Sequence, residues 1–153
     1  MDTAINLLDQ DFTQETCYAL LPEWKGLDVR ITQLSGGITN KLYRIQSQKG
    51  DYTVRIYGDK TDLFINRDYE AQTIREMAKI GVGSNMVKYL PEKGVTIVEF
   101  IDDAIVLTND HFLDESLYPK IVDPIRKIHT SGISLEKVFN PLVEVMKMSN
   151  ILR

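Results

Sequence analysis

The chain has 153 residues, 43% of them hydrophobic, and a formal net charge of −4, which suits one globular domain or part of a larger one. Its 18 basic residues are scattered among 22 acidic ones, and no apolar run approaches the ~20 residues that span a bilayer, so neither nucleic acid nor a membrane is an expected partner. The single cysteine cannot form an internal disulfide, and we therefore expect a reducing, cytoplasmic location.

The first predicted element is a helix over residues 12–24. Thr13 is a suitable N-cap, and Pro22 falls near the end of the helix. Cys17 lies within this stretch, and we expect it to be a small buried residue rather than a nucleophile. The apolar patch of the helix consists of Leu20, Leu21 and Trp24.

Three strands are predicted next, because apolar and polar residues alternate with a period of two over 29–34, 41–46 and 52–57. A helix then extends to residue 80. Thr61 or Asp62 could cap its start, and Gly81 should end it, since glycine commonly follows the last helical residue.

Two further strands, over 86–90 and 95–100, complete a predicted five-stranded, mostly antiparallel sheet with one packed helix, an α+β arrangement. The final third instead predicts helices over 114–131 and 134–148. Pro124 should start or kink the first of them. The second has an apolar stripe that includes Leu142, Val145 and Met146.

These last two helices are typical of the beginning of a second, helical lobe, because no later segment could cover their apolar faces. Apolar surface that stays uncovered tends to drive association. We therefore expect the chain to self-associate or to be poorly ordered near its C-terminus.

A glycine-rich loop separates the first two predicted strands. Paired glycines let the backbone approach a ligand closely, and successive N–H groups in such a turn can surround an anion. The loop lies in a β-hairpin and lacks both G-x-x-x-x-G-K-[ST] and a third glycine that opens a helix, which favours a kinase-type phosphate lid over a Walker or Rossmann loop. Its residues are Ser35, Gly36, Gly37, Ile38, Thr39 and Asn40.

Two charged residues downstream complete a pattern that phosphoryl transfer requires. Arg55 lies between the apolar residues Val54 and Ile56, so its side chain points to the opposite face of the strand. Glu70 lies in the first half of the next helix. A strand cation with a helix acid is typical of kinases, where the acid holds the cation on the phosphates. Arginine replaces the usual lysine and can fork onto phosphate oxygens.

Each of these residues also has a purely structural interpretation. A Gly-Gly pair between strands is often an ordinary hairpin turn. Arg55 could be a solvated residue on a half-exposed strand. Glu70, with Arg67 and Arg75 nearby, could belong to a charged helix face. The order of lid, cation and acid along the chain favours the functional interpretation.

In combination, these segments resemble the choline/ethanolamine kinase family. Residues 35–44 are similar to its G-G-[LIM]-T-N-x-x-Y-x-V signature, and 52–58 to the strand that follows, with arginine at the cation position. Residues 65–70 resemble its I-[DN]-R-x-x-E helix start, 98–101 its E-[FY]-I linker, and 125–129 the helix that ends in Leu-His. The resemblance covers roughly residues 12–150.

The resemblance implies a protein-kinase-like N-terminal lobe with its linker over residues 1–101, and the first helices of a truncated helical C-lobe over 102–153. It implies ATP and Mg²⁺ as cofactors, and choline or a similar small amino alcohol as the substrate. The residues that it implies for nucleotide binding are Ser35, Gly36, Gly37, Ile38, Thr39, Asn40, Arg55, Glu70, Glu99, Phe100 and Ile101.

The adenine ring is expected at the linker, where the backbone of residues 99–101 would contact it as in the family. The sheet between lid and linker would supply an apolar slot for the ring, with Ile45 and Val54 as candidate walls.

One departure from the family pattern limits these expectations. The family base lies in an H-x-D-x-x-x-x-N segment and a later aspartate holds Mg²⁺, but His129 is followed by Thr-Ser-Gly and neither segment occurs in the 153 residues. No catalytic or metal-binding residue is therefore assigned, and we expect no useful turnover from this chain alone.

Two alternatives stay open at this point. The parent could be another small-molecule kinase of the same superfamily, which acts on thiamine, methylthioribose or an aminoglycoside. The chain could also be a non-catalytic module that binds a nucleotide or a partner lobe.

Overall fold

A computed structural model describes residues 7, 11–35, 37, 39–136 and 140–151. Four α-helices and five strands are present in these residues, and short 3₁₀ turns join several of them. The helices are α1 Gln14–Leu20, α2 Arg67–Lys79, α3 Tyr118–Thr130 and α4 Pro141–Ile151. The strands are β1 Arg30–Leu34, β2 Lys41–Ser47, β3 Gly50–Ile56, β4 Met86–Leu90 and β5 Val95–Glu99.

The strands form one sheet in the order β1-β2-β3-β5-β4, and every neighbouring pair is antiparallel. This confirms the predicted five-stranded α+β fold. The last strand along the chain, β5, lies between β3 and β4. The linker that follows β5 therefore leaves from the interior of the sheet, beside the start of β3.

The register divides the sheet into two chemically different faces. Tyr43, Val54 and Ile97 are aligned on one face, which we call the core face. Leu42, Arg55 and Thr96 are aligned on the other, which we call the α2 face. The division follows directly from the period of two in the strands.

The core face packs against α1 and the turn that follows it. The side chain of Thr13 accepts a hydrogen bond from the Thr16 N–H, so the predicted cap is confirmed. The helix is shorter than predicted, because Pro22 begins a 3₁₀ turn that ends at Trp24. The side chains of this layer that are buried are Phe12, Cys17, Leu20, Leu21, Trp24, Tyr43, Ile45, Val54, Ile56, Val95 and Ile97.

Cys17 is completely buried in this layer, as the sequence predicts. Burial disfavours the thiolate and raises the pKa of the Cys17 thiol to about 11. A thiol in this state is poorly reactive, so Cys17 is a packing residue.

The helix on the other face starts later than predicted. Asn66 caps α2, with its side chain accepting from the Tyr69 N–H at 3.0 Å. Thr61 instead donates its hydroxyl to the Gly58 carbonyl at 2.8 Å and lies in a separate 3₁₀ turn, so the expected cap at Thr61 or Asp62 is wrong. The C-terminus is confirmed, since Gly81 follows the cap residue with a φ of +69°.

The C-terminal helices also differ from the sequence expectation. Pro124 lies within α3 and does not start it. Residues 134–136 are not helical, and α4 begins only at Pro141. Asn140 caps it, because its side chain accepts from the Leu142 and Val143 N–H groups at 3.1 and 3.4 Å.

The apolar residues of these helices are exposed, as predicted. On α4, Leu142, Val145 and Met146 each leave about two thirds or more of their surface in solvent, at 75%, 64% and 67%. On α3, Val122 and Ile125 are also exposed. No helix in the described residues is both long enough and apolar enough to cross a membrane.

Candidate functional site

The glycine loop connects β1 to β2 at one end of the sheet. Ser35, Gly37 and Thr39 are exposed, whereas Gly36 and Ile38 lie outside the described residues. A Cβ atom on Gly37 would lie 2.1 Å from the Asn40 carbonyl oxygen, a separation that no side chain tolerates. The loop therefore closes on itself in a way that only glycine permits at this position.

The second half of the loop is anchored to the residue that follows the end of β3. The Gly58 N–H donates to the Asn40 side-chain oxygen at 3.1 Å. A Cβ on Gly58 would lie 2.3 Å from the Thr39 carbonyl oxygen, so this contact also requires glycine. The loop is thus fixed to the segment that follows β3, three residues after Arg55.

Arg55 and Glu70 form an ion pair between β3 and α2. The Arg55 Nη2 and the Glu70 Oε1 are in close contact, and each side chain is about a quarter exposed, at 26% and 25%. The pairing that the sequence predicts is therefore present in the structure. The contact of either residue with a phosphate stays a prediction.

Arg67 joins Arg55 and Glu70 to form a cluster of three charged side chains. From the sequence, Arg67 is expected only on a charged face of the helix. Its Nη1 donates to the Glu70 Oε2 at 2.8 Å, and its Nη2 donates to the Thr61 hydroxyl. The guanidinium also lies 3.9 Å from the centre of the Tyr57 ring, and the side chain is only 9% exposed. The three-residue spacing from Arg67 to Glu70 was the available signal, since it places both side chains on one side of a helix.

The charge balance of this cluster suits an anion. Two arginines share one carboxylate, which leaves a formal charge of +1 in a largely buried setting. Three nitrogen atoms of the cluster are buried and have no hydrogen-bond acceptor in the described part of the chain: the Nε atoms of Arg55 and Arg67, and the Arg55 Nη2. The Arg55 Nη2 is close to the Glu70 carboxylate but is poorly aligned for a hydrogen bond with it. The excess positive charge is therefore better balanced when an anion lies beside the cluster.

Tyr57 and Thr96 border the cluster on its sheet side. The Tyr57 hydroxyl and the Thr96 hydroxyl are hydrogen-bonded and buried. Burial is the main cause that raises the pKa of Tyr57, so the phenol stays neutral beside the arginines.

The linker begins at Glu99, whose side chain is directed away from the α2 face. Glu99 accepts a hydrogen bond from the Asn85 side chain at 2.7 Å, and its N–H donates to the Asn85 carbonyl at 2.9 Å. The Phe100 N–H donates to the Asp51 carbonyl at 3.0 Å, and Ile101 is 56% exposed. A ligand at this linker would therefore contact backbone groups rather than the Glu99 carboxylate.

The expected apolar slot at Ile45 and Val54 is wrong. Both side chains are completely buried on the core face, which is opposite to Arg55. The strand period of two places residue 54 on the face opposite to its neighbour Arg55, and the register places residue 45 on that same opposite face. On the α2 face, the corresponding half-buried apolar residues are Leu34, Leu42 and Val98.

A metal site is not evident in the described residues. Within them, no three His, Cys, Asp or Glu side chains come close enough together to hold an ion. His129 is exposed on α3.

Comparison with known proteins identifies the family. The family model for choline/ethanolamine kinase matches residues 31–152. A probable ethanolamine kinase from Arabidopsis thaliana is 28% identical over 141 residues, which cover 87% of this chain and 37% of that protein. The chain thus spans well under half the length of this curated relative.

Solved structures show the same fold. Choline kinase LicA from Streptococcus pneumoniae superposes with a TM-score of 0.77 at 24% identity, over 94% of this chain and 50% of LicA. LicA in complex with AMP superposes with a TM-score of 0.72 at 24% identity, over 93% and 50% of the two chains. The sheet and its helices therefore have the architecture of a protein-kinase-like N-terminal lobe, and the chain belongs to the choline/ethanolamine kinase family.

Proposed function

We propose that this chain forms the ATP-binding part of a kinase that phosphorylates the hydroxyl of choline or a similar amino alcohol, such as ethanolamine. The observation that supports this most directly is the cluster of Arg55 on β3 with Glu70 and Arg67 on α2, close in sequence to the Gly58 anchor of the glycine loop. The names of the relatives support the substrate class, and the LicA complex with AMP supports a nucleotide ligand.

In this proposal the phosphates lie between the glycine loop and Arg55. Backbone N–H groups of the loop from Ser35 to Asn40 surround the phosphate oxygens. The Arg55 guanidinium binds the α- and β-phosphates, and Glu70 orients it. Arg67 holds the second oxygen of the Glu70 carboxylate, so the acid cannot rotate away from Arg55.

The adenine ring lies at the linker of residues 99–101. Because the Phe100 N–H is already bonded to Asp51, the Ile101 N–H is the donor best placed for a ring nitrogen. The apolar walls of the slot are Leu34, Leu42 and Val98, which lie on the α2 face. Residues 1–101 then form the nucleotide lobe with its linker, and 102–153 begin the helical lobe.

The chain alone is not expected to turn over substrate. Kinases of this kind need a base for the acceptor hydroxyl and Mg²⁺ to neutralise the phosphates. No H-x-D-x-x-x-x-N segment occurs in the 153 residues, and no three His, Cys, Asp or Glu side chains come together in the described residues. Both requirements would have to be met by residues outside this chain.

Calorimetric titration and thermal melting with ATP test the nucleotide site. We expect ATP to raise the melting temperature of the wild-type chain and Arg55→Gln to remove most of that shift. Arg126→Gln is the control, because Arg126 is exposed on α3 and, among the described residues, forms its ion pair with Asp123 on the same helix. The absence of any shift at millimolar ATP in the wild-type chain would contradict the proposal.

The alternative of a non-catalytic module that binds a nucleotide would use the same loop and arginine cluster. To distinguish the kinase part from the non-catalytic module, the chain is mixed with the helical half of a relative and supplied with ATP, Mg²⁺ and choline or ethanolamine. The release of ADP is then measured. Activity of the mixture supports the kinase part. ATP binding without activity in any mixture favours the module.

A further inference from the structure

Arg44 connects the β2–β3 hairpin to the linker. It lies on the α2 face, two residues beyond Leu42, and its side chain is 26% exposed. Its guanidinium contacts Asp51 at the start of β3 and both Phe100 and Asp102 in the linker. One side chain thus touches two segments that are about fifty residues apart in the sequence.

On the strand side, Arg44 and Asp51 form a forked pair. The Arg44 Nε lies 3.0 and 3.1 Å from the two carboxylate oxygens, and the Nη2 donates to the second of them. The Gln46 side chain also donates to this carboxylate at 3.1 Å. A fork of this kind fixes the plane of the guanidinium as well as its position.

On the linker side, the same guanidinium covers the Phe100 ring. The central carbon of the guanidinium lies 3.7 Å from the ring centre, and the Nη2 donates to the Asp102 carboxylate at 3.0 Å. The Phe100 N–H is bonded to the carbonyl of Asp51, the residue that also holds Arg44. Phe100 is therefore held through its backbone by Asp51 and through its ring by Arg44.

These contacts surround the one residue between Glu99 and Ile101. We propose that Arg44 is a positioning residue for recognition of the nucleotide base: it holds Phe100 so that the backbone of Glu99 and Ile101 is presented to the adenine ring. This role rests on the proposed nucleotide site. It does not involve the phosphates, because Arg44 contacts none of Arg55, Glu70 and Arg67 in the described structure.

The test compares ATP with inorganic tripolyphosphate, which lacks the base. Calorimetric titration of Arg44→Gln should show ATP affinity reduced about tenfold, the change that one fixed contact typically represents, with tripolyphosphate affinity unchanged. Hydrogen exchange of the Phe100 amide should become faster. Arg44→Lys should be intermediate, because it keeps the charge and loses the fork.

Arg30→Gln is the matched control, since Arg30 is an exposed arginine on the neighbouring strand β1. An equal loss of ATP and tripolyphosphate affinity in Arg44→Gln would overturn the proposal, because it would indicate general destabilisation. Unchanged ATP affinity in Arg44→Gln, with binding by the wild-type chain, would overturn the role of Arg44 alone. A wild-type chain that binds neither ligand would overturn the nucleotide site itself, and the role of Arg44 with it.

Discussion

The Gly58 N–H donates to the Asn40 side chain at 3.1 Å, and the Gly58 Cα lies against the Thr39 carbonyl with no room for a side chain. The glycine loop and the end of β3 are consequently one structural unit. A change at Gly58 acts on the loop even though eighteen residues separate Gly58 from Asn40 in the sequence.

Gly58→Ala should displace the loop and weaken the Asn40 hydrogen bond. We expect a loss of about 1–3 kcal/mol of unfolding free energy, as overpacking and a lost buried hydrogen bond commonly cost. Urea unfolding measures this loss, and ATP titration measures the effect on the loop. Gly83→Ala is the control, because its added Cβ would come no nearer than 3.4 Å to its closest neighbour, the Met77 Cβ. Equal stability of the two variants would contradict the anchoring role of Gly58.

Glu70→Gln should leave both Arg55 and Arg67 without a carboxylate partner. Because the pair is about a quarter exposed, we expect a moderate loss of about 1–2 kcal/mol in unfolding free energy rather than the larger cost of a fully buried pair. ATP affinity should fall as well, since Arg55 is no longer oriented. Glu76→Gln on the same helix is the control for urea unfolding, because the ion pair of Glu76 in the described residues is with the exposed Lys79. A Glu70 variant as stable as this control would show that the pair is dispensable.

Cys17 should resist thiol reagents while the chain is folded. A pKa raised to about 11 from 9.0 reduces the thiolate present at about pH 8 by about a hundredfold, and burial adds a steric barrier. Because the unfolded thiol ionises first, the contribution of Cys17 to stability is fully present below pH 9.0 and is lost as the pH rises to about 11. Reaction rates with and without urea measure the protection. Equal rates would place the thiol at the surface.

The exposed apolar face of α4 should cause self-association of the chain. Sedimentation velocity should show larger species as the concentration rises, because contiguous apolar surface favours contact between copies. The double variant Leu142→Lys, Met146→Lys should be more monomeric than the wild-type chain at the same concentration. Ser149→Lys with Asn150→Lys adds the same charge at exposed positions of the same helix and should leave association unchanged. A monomeric wild-type chain would contradict the expectation.

The sequence predicts most of the sheet because a period of two is a local pattern. The order of the glycine loop, Arg55 and Glu70 is predictable for the same reason, because each lies in a short motif that can be identified locally. The sequence places the start of α2 wrongly because Thr61, Asp62 and Asn66 are all acceptable caps, and the choice depends on the bond from Thr61 to the Gly58 carbonyl. This bond spans only three residues, as a cap bond does, so the local sequence alone does not rank the three candidates.

The candidate site is less predictable than the fold for a similar reason. Arg67 and Arg44 look like ordinary surface charges in the sequence, and their contacts with Tyr57 and Phe100 arise only when the strands and α2 are assembled. The wrong prediction of an apolar slot at Ile45 and Val54 has a different cause. The strand period that places Arg55 on the α2 face also places both of these residues on the core face. The wrong prediction could have been avoided from the sequence alone.

The separation of the sheet into a core face and an α2 face has a practical consequence for redesign. Since Trp24, Ile45 and Ile97 are packed on one side, a combinatorial library confined to Leu34, Leu42, Thr53 and Val98 on the other side would leave the folding core untouched. If the proposed nucleotide site is correct, such a library could be selected for a guanine or pyrimidine base in place of adenine.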